Sequence, residues 1–471
     1  MSIYIYNSLT RKKEEFIPLN PPDVNIYTCG VTVYDECHIG HARSLYCFDL
    51  IRRYLARRGF RVNFVRNITD IDDKIINRAN ELKVDWKELV EKYIESYKTD
   101  MRSLGVGFGV FDGKEEPRAT RNIPEIIKYI EALIEKGCAY PAPSGVYFSV
   151  RNFKNYGRLS GQSIDAMMNG ARIEPDEKKK DPLDFALWKR SKPDEPFWDS
   201  PWGAGRPGWH IECSVMSTKY NKTDTLDIHA GGRDLIFPHH ENEIAQSEAK
   251  TGKPFAKYWI HHGLLTINNQ KMSKSLGNFI TIKDFLAKYK DPDILKLFFL
   301  STHYSSPIDF TEEKMREADK ARGHFAQFLD RIRNIEPDAK AGNPEKVKEI
   351  DEIRAEFESA MDDDFNTPEA LAALFNLVNT ADGYFTRYSK NIKRLEYAKE
   401  VLSDIADLLG LSLKGRQFKA GVEEGIKENI ELRNSLRKKK DFKGADKIRK
   451  ELEKQGIILE DTKDGTIWRR A

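Results

Sequence analysis

Disulfides are excluded first. The 471 residues hold five cysteines, an odd number with no CxxC pair, so reduced thiols are expected. No apolar run approaches the ~18 residues that would span a membrane. Met1 to Phe16 contains no apolar signal core and alternates Ile3 and Ile5 with polar neighbours. A cytoplasmic location with no membrane partner is therefore expected. Net charge is nearly absent too: at +3 it gives the molecule no dominant field and says little about partners. Internal repeats and low-complexity tracts are also missing.

What is present is a well-mixed globular composition, 40% hydrophobic and 32% charged, long enough for roughly two to four domains. Val24 to Cys29 reads as a buried strand and Gly30 to Ile39 as a loop. An amphipathic helix follows from about Ala42 to Arg58, with Leu45, Phe48, Ile51 and Leu55 on one face and Gly59 as its stop. Phe60 to Arg66 is a second strand, and Asp70 to Leu82 a second helix with acids in its first turn. This alternation predicts a parallel α/β sheet.

The middle of the chain differs. Ile123 to Lys136 reads as a helix, and 138–150 as a hairpin with Pro141, Pro143 and Gly145 near its turn. Residues 174–208 are rich in Pro, Gly and charge and carry three of the seven tryptophans. Residues 118–205 are read as an insertion into the sheet domain. The α/β pattern then returns with a strand at Thr225 to His229, a helix at Pro238 to Lys250 and a strand at Trp259 to Ile267. Residues 312–410 are helical by pattern, with Thr367-Pro368-Glu369 as a helix start. A basic helix pair and a hairpin around Lys463-Asp464-Gly465 close the chain.

Two short segments carry chemistry. His38-Ile39-Gly40-His41 falls between the first strand and the first helix. A helix N-terminus presents unpaired N–H groups to phosphate, Gly40 permits close backbone approach, and two imidazoles can donate to oxygens as charge builds. Lys271-Met272-Ser273-Lys274-Ser275 precedes Gly277 and suits a mobile clamp on pyrophosphate.

Together these segments resemble the signature of class I aminoacyl-tRNA synthetases, which activate an amino acid with ATP and then charge tRNA. The resemblance implies a Rossmann-like catalytic domain split by an insertion that binds the tRNA acceptor end. It places His38 and His41 at the ATP phosphates. Lys271 and Lys274 would stabilise the transition state, with Gly40, Asp234 and Lys274 at the nucleotide. Mg2+ would accompany ATP.

A helix-opening segment, Pro238-His239-His240-Glu241-Asn242-Glu243, puts His239 and Glu243 on one face, where they could share a metal. No spacing rule joins them to Cys29 or Cys213. A narrower resemblance does. Tyr27-Thr28-Cys29-Gly30, Pro207-Gly208-Trp209-His210-Ile211-Glu212-Cys213-Ser214 and Phe237 to Glu243 closely match motifs of the cysteinyl-tRNA synthetases. In that family the aligned Cys29, Cys213, His239 and Glu243 bind one Zn2+, with His240 behind His239 or in its place. Cysteine and serine differ by one atom, and shape separates near-isosteres poorly. A zinc ion that takes the substrate sulfur as thiolate exploits the lower pKa and softness of the thiol. Gly30, Thr69 and Trp209 resemble positions lining the cysteine pocket; a packed core role for Trp209 is the alternative.

Arg433 to Lys454 holds ten Lys or Arg against four Asp or Glu, a basic helical surface suited to phosphate contact. The family resemblance implies anticodon recognition there, with Arg437 and Lys438 as contacts and Trp468 stacking on a base. The implied domains are a first catalytic half over 1–117, the insertion over 118–205 and a second half over 206–262. A stem-contact region over 263–315, a helical bundle over 316–412 and a small α+β anticodon domain over 413–471 complete them. The expected partners are tRNA(Cys), L-cysteine and ATP, and a monomer is expected. The competing acceptor is an amino sugar, as in the cysteine ligase of mycothiol synthesis.

Overall fold

The computed structural model describes residues 2–107, 116–170, 179–273, 277–333, 346–413, 422–461 and 466–470. Contacts divide the chain into two compact units. One comprises Ser2–Pro292 and Tyr304–Phe310, the other Asp293–His303 and Thr311–Ala471.

The first unit begins with a hairpin of β1 (Tyr4–Asn7) and β2 (Lys12–Glu15). Strand β3 (Asp23–Thr32), helix α1 (Ile39–Arg57), strand β4 (Arg61–Thr69) and helices α2 (Asp73–Leu82) and α3 (Trp86–Leu104) follow. Asp72 and Asp85 cap α2 and α3 by accepting from backbone N–H groups of the first turn. Helix α4 (Ile123–Glu135), strands β5 (Ala139–Ala142) and β6 (Gly145–Phe148), α5 (Ile164–Gly170), β7 (Phe185–Arg190) and β8 (Gly205–Pro207) come next. The chain returns through α6 (Trp209–Asn221), β9 (Leu226–Gly232), α7 (Glu241–Thr251) and β10 (Ala256–His262). Strands β11 (Leu265–Ile267) and β12 (Gln270–Lys271), helix α8 (Ile282–Tyr289) and strand β13 (Ile308–Phe310) complete this unit, while α9 (Pro292–Leu300), between α8 and β13 in the chain, counts from Asp293 with the other.

The central sheet has the order β10-β9-β3-β4, and every neighbouring pair is parallel. Residues buried on both faces, such as Val24, Ile26, Phe64, Val65 and Ile228, account for its hydrophobic strands. The insertion forms its own antiparallel sheet, β5-β6-β7-β8, whose last strand ends at Pro207. Two expectations shift. The strand expected from Trp259 to Ile267 breaks after His262: Gly263 N donates to Tyr304 O at 2.9 Å, and Leu265–Ile267 pairs with β13 in another sheet. The helix expected from Pro238 begins at Glu241, because Phe237 is extended (φ −135°, ψ 133°) inside the preceding turn.

The second unit is helical, with α10 (Glu312–Arg333), α11 (Lys348–Asp362), α12 (Thr367–Asp382), α13 (Tyr388–Leu408), α14 (Val422–Lys438) and α15 (Phe442–Lys454). A closing hairpin pairs β14 (Ile457–Asp461) with β15 (Thr466–Arg470). Asn366 caps α12, with Pro368 in its first turn as expected.

Candidate active site and metal centre

The site lies at the C-terminal ends of the parallel strands. Strand β3 loses register with β4 between Thr28 and Val31, and Cys29-Gly30 occupies this irregularity. A side chain on Gly30 would place its Cβ 1.6 Å from Asn67 O, so only glycine allows the approach, and Gly30 N donates to Asn67 Oδ1 at 2.8 Å. Cys29 Sγ then sits 3.4 Å from His240 Nε2 and 3.5 Å from Glu243 Oε1. Cys213 is buried in α6, and Glu243 lies in the first turn of α7. His239 comes from the turn before that helix, yet its Nε2 still reaches Glu243 Oε1 at 2.9 Å.

Ligand atoms of Cys29, Cys213, His239 and Glu243 thus converge within 4.8 Å of one another. A second set, Cys29, His229, His240 and Glu243, meets the same limit. The first offers two thiols, an imidazole and a carboxylate, a donor set that fits zinc better than one with a single sulfur. Both histidines are held through their other nitrogen. His239 Nδ1 is 2.9 Å from His210 Nδ1, and His240 Nδ1 is 2.9 Å from His261 Nε2. His229 Nε2 braces Glu243 Oε2 at 2.7 Å and its ring stacks on Trp259 at 4.4 Å.

The ionisable groups of this buried cluster shift one another. Burial by itself would raise Glu243, but His229 and His239 hold it well below the usual carboxylate range. Burial, Cys213 and Glu243 push the Cys29 thiol up. Cys213 moves down despite burial, chiefly through its hydrogen bond with Cys29 and its contact with His239.

Trp209 is 37% exposed and stacks on His239 with centroids 4.2 Å apart, so it borders the site and is not a core aromatic. Thr69 is buried; its hydroxyl donates to Glu212 Oε2 at 3.1 Å and accepts from Asn67 Nδ2 at 3.3 Å.

The second half of the candidate site is built on α1. His38 is its N-cap: His38 Nδ1 accepts from Gly40 N at 3.1 Å and His41 N at 3.3 Å. His41 Nδ1 accepts from His38 N at 3.3 Å. The two rings stack at 3.7 Å. With Nδ1 an acceptor in both, a neutral imidazole carries its proton on Nε2. Burial, then His38 and Lys74, hold His41 well below the usual histidine range and keep it neutral.

The second segment packs against the first. A Cβ on Gly40 would lie 3.3 Å from Met272 Cε. Ile39 N donates to Ile280 O at 3.1 Å, and Ile282 N donates to Cys37 O at 2.9 Å. Asn278 closes the base of the loop, with Oδ1 accepting from Ser273 N at 2.8 Å and Nδ2 donating to Lys271 O at 3.2 Å. Lys271 and Asp234 are exposed, and Lys274 lies outside the described residues.

In the second unit, Arg437 Nη1 pairs with Asp461 Oδ2 at 2.6 Å, and Lys438 is exposed. Trp468 differs from expectation. It is 5% exposed and packs with Ile426, Ile430, Leu452, Ile457 and Leu459. Its indole fills the core between helix pair and hairpin, so it is not presented to a base. The aromatic at the surface of this basic region is Phe442, 60% exposed.

A family model described as the tRNA synthetases class I (C) catalytic domain matches residues 15–320, and a DALR domain matches residues 356–414. Cysteine–tRNA ligase of Thermodesulfovibrio yellowstonii is 51% identical, with 99% of each chain covered. That of Thermococcus onnurineus is 49% identical, covering 100% of this chain and 99% of its own. The chain belongs to the cysteine–tRNA ligase family. A structure of Mycobacterium tuberculosis methionyl-tRNA synthetase with methionyl-adenylate superposes at a TM-score of 0.61, with 15% identity over 82% of this chain and 90% of that one. At that identity it bears out the class I synthetase fold alone.

The family motifs read in the sequence omit several residues that the fold brings to the site. Asn67, His229, His261 and Asn278 contact its members from neighbouring elements. Only Asn278 lies close enough in sequence to the lysine-rich segment to have been a candidate on position.

Proposed function

We propose that this chain is a cysteine–tRNA ligase. It joins the cysteine carboxylate to the α-phosphate of ATP with release of pyrophosphate, then transfers the cysteinyl group to the 3′ end of tRNA(Cys) with release of AMP. The convergence of Cys29, Cys213, His239 and Glu243 within 4.8 Å, beside an α1 N-terminus presenting two histidines, carries this reading.

His38 and His41 point protonated Nε2 atoms at phosphate oxygens while their Nδ1 atoms are fixed by backbone N–H groups. This arrangement costs no reorganisation as charge develops. Lys271 and Lys274 neutralise the departing pyrophosphate, which binds with Mg2+. Gly40 lets the nucleotide approach the backbone, and Asp234 faces the ribose. Gly30, Thr69 and Trp209 border the amino acid.

Cys29, Cys213, His239 and Glu243 hold one zinc ion, with His240 placing its own hydrogen bond on His261. Bound zinc supplies a soft Lewis acid that distinguishes a thiol from a hydroxyl. Arg437 and Lys438 meet tRNA phosphates, and Phe442 takes the stacking role that the buried Trp468 leaves open. The relatives are tRNA ligases, and the amino-sugar acceptor is not favoured. No helix among the described residues is long and apolar enough to cross a membrane. We place the protein in the cytoplasm, as a monomer.

Charging of purified tRNA(Cys) with cysteine and not serine is the expected result; cysteine activation without tRNA charging would refute it. Lys274→Ala should lower cysteine-dependent ATP–pyrophosphate exchange by about 100-fold or more while leaving cysteine binding in place.

A further inference from the structure

A cavity of about 500 Å3 opens between the N-terminal hairpin and the segment that follows the insertion's β6 strand. Arg11, Lys154 and Arg158 line it, with Asn155, Gln162 and Ser163 adding amide and hydroxyl groups. No carboxylate is among the lining residues. Arg158 is paired with Glu248 at 2.8 Å. Arg11 and Lys154 are exposed, and among the described residues no hydrogen bond or ion pair takes up either side chain.

The backbone is shaped for close approach here. Gly157 and Gly161 take φ values of +93° and +72°. A Cβ on Gly161 would fall 1.8 Å from an Arg11 guanidinium nitrogen, so glycine lets that cation lie against the loop. The cavity is also tied to the metal centre. Tyr156, in its wall, donates to Asn242, the neighbour of Glu243. Ser8, close to Arg11 in the hairpin, bonds His261 at 2.8 Å.

We propose that this cavity binds a phosphate group of the RNA substrate. Two unpaired cations, a third held by one carboxylate, and neutral donors around glycine-lined backbone form a complement to a phosphodiester. Because the cations are exposed, a small free anion gains little from them, whereas a polyanion gains by releasing condensed counterions. The site rests on the tRNA ligase reading and adds to it a contact made by residues other than those of the basic C-terminal helices.

The test compares the full-length wild-type enzyme with an Arg11→Ala/Lys154→Ala variant, chosen because neither side chain has a hydrogen-bond or ion-pair partner among the described residues. Cysteine-dependent ATP–pyrophosphate exchange should be unchanged, which separates this proposal from the identity of the ligase. The tRNA Kd should rise on the order of tenfold, and the slope of log Kd against log salt should shrink by about 0.7 to 1, as the loss of one neutralised phosphate requires. Calorimetric titration with inorganic phosphate and pyrophosphate is the second arm. Millimolar binding that the variant loses, with tRNA affinity unchanged, would keep the phosphate site but refute RNA as its source. Unchanged tRNA affinity and salt slope, with no phosphate binding, would overturn the proposal.

Discussion

Lys283 Nζ lies 2.8 Å from the Glu36 carboxylate, joining α8, which follows the lysine-rich loop, to the residues that precede the α1 cap. Glu36 also accepts from Ser96 of α3. Cys37 O and Ile280 O, engaged by backbone N–H groups of the opposite segment, extend the same seam. This pair therefore sits on the seam between the segment that leads into α8 and the turn that opens α1.

Glu36→Gln should raise the KM for ATP without altering the KM for cysteine or the zinc content. Both side chains are partly exposed, so the effect should be modest, about 2- to 5-fold for a pair worth up to about 1 kcal/mol. Steady-state exchange kinetics measure it. Glu36→Lys combined with Lys283→Glu should restore the ATP KM, and a double variant worse than both singles would exclude the pairing role.

Asp100 is buried below this pair, with Oδ2 lacking a partner. Burial raises its pKa to about 6, opposed by Lys283 and aided by Glu36. The folded state thus binds a proton more tightly than the unfolded chain, so stability falls as pH rises from about 4 to 6 and the penalty is complete above that window. Asp100→Asn should remove it, stabilising the first unit by on the order of 1–2 kcal/mol at pH 7.5, after allowance for solvent screening, and by little at pH 4. Thermal melts of both proteins across that range would show equal differences at every pH if Asp100 were not responsible.

His229 braces Glu243 without belonging to the two-thiol set. His229→Phe keeps a ring against Trp259 but deletes the hydrogen bond. Zinc affinity, measured by competition with a chromophoric chelator, should fall about 10- to 100-fold. An unchanged affinity would mean that Glu243 is positioned by α7 alone.

Trp468 and Phe442 should respond in opposite ways. Trp468→Ala empties the core of the closing hairpin and should cost about 3–5 kcal/mol, read by chemical denaturation of the C-terminal region. Phe442→Ala, at an exposed position, should leave stability within about 0.5 kcal/mol. It should also weaken tRNA binding by about 1–3 kcal/mol, the worth of one stacked base. Equal loss of stability in both variants would contradict the two placements.

The sequence by itself determined what local rules govern. Alternating strands and helices announced the parallel sheet, because periods of 2 and 3.6 are written in neighbouring residues. His38-Ile39-Gly40-His41 falls where a strand meets a helix, and Thr367-Pro368 marks a helix start. The zinc reading and the tRNA reading came from likeness to a family, since Cys29 and Cys213 are far apart in the chain. Only the tertiary structure decided the rest. The irregularity at Cys29-Gly30 depends on Asn67 of the neighbouring strand, the start of α7 on an extended Phe237, and the burial of Trp468 on apolar residues from two helices and the paired strand. A side chain's use is fixed by what packs around it, and those neighbours are brought together by the sheet and not by spacing along the chain.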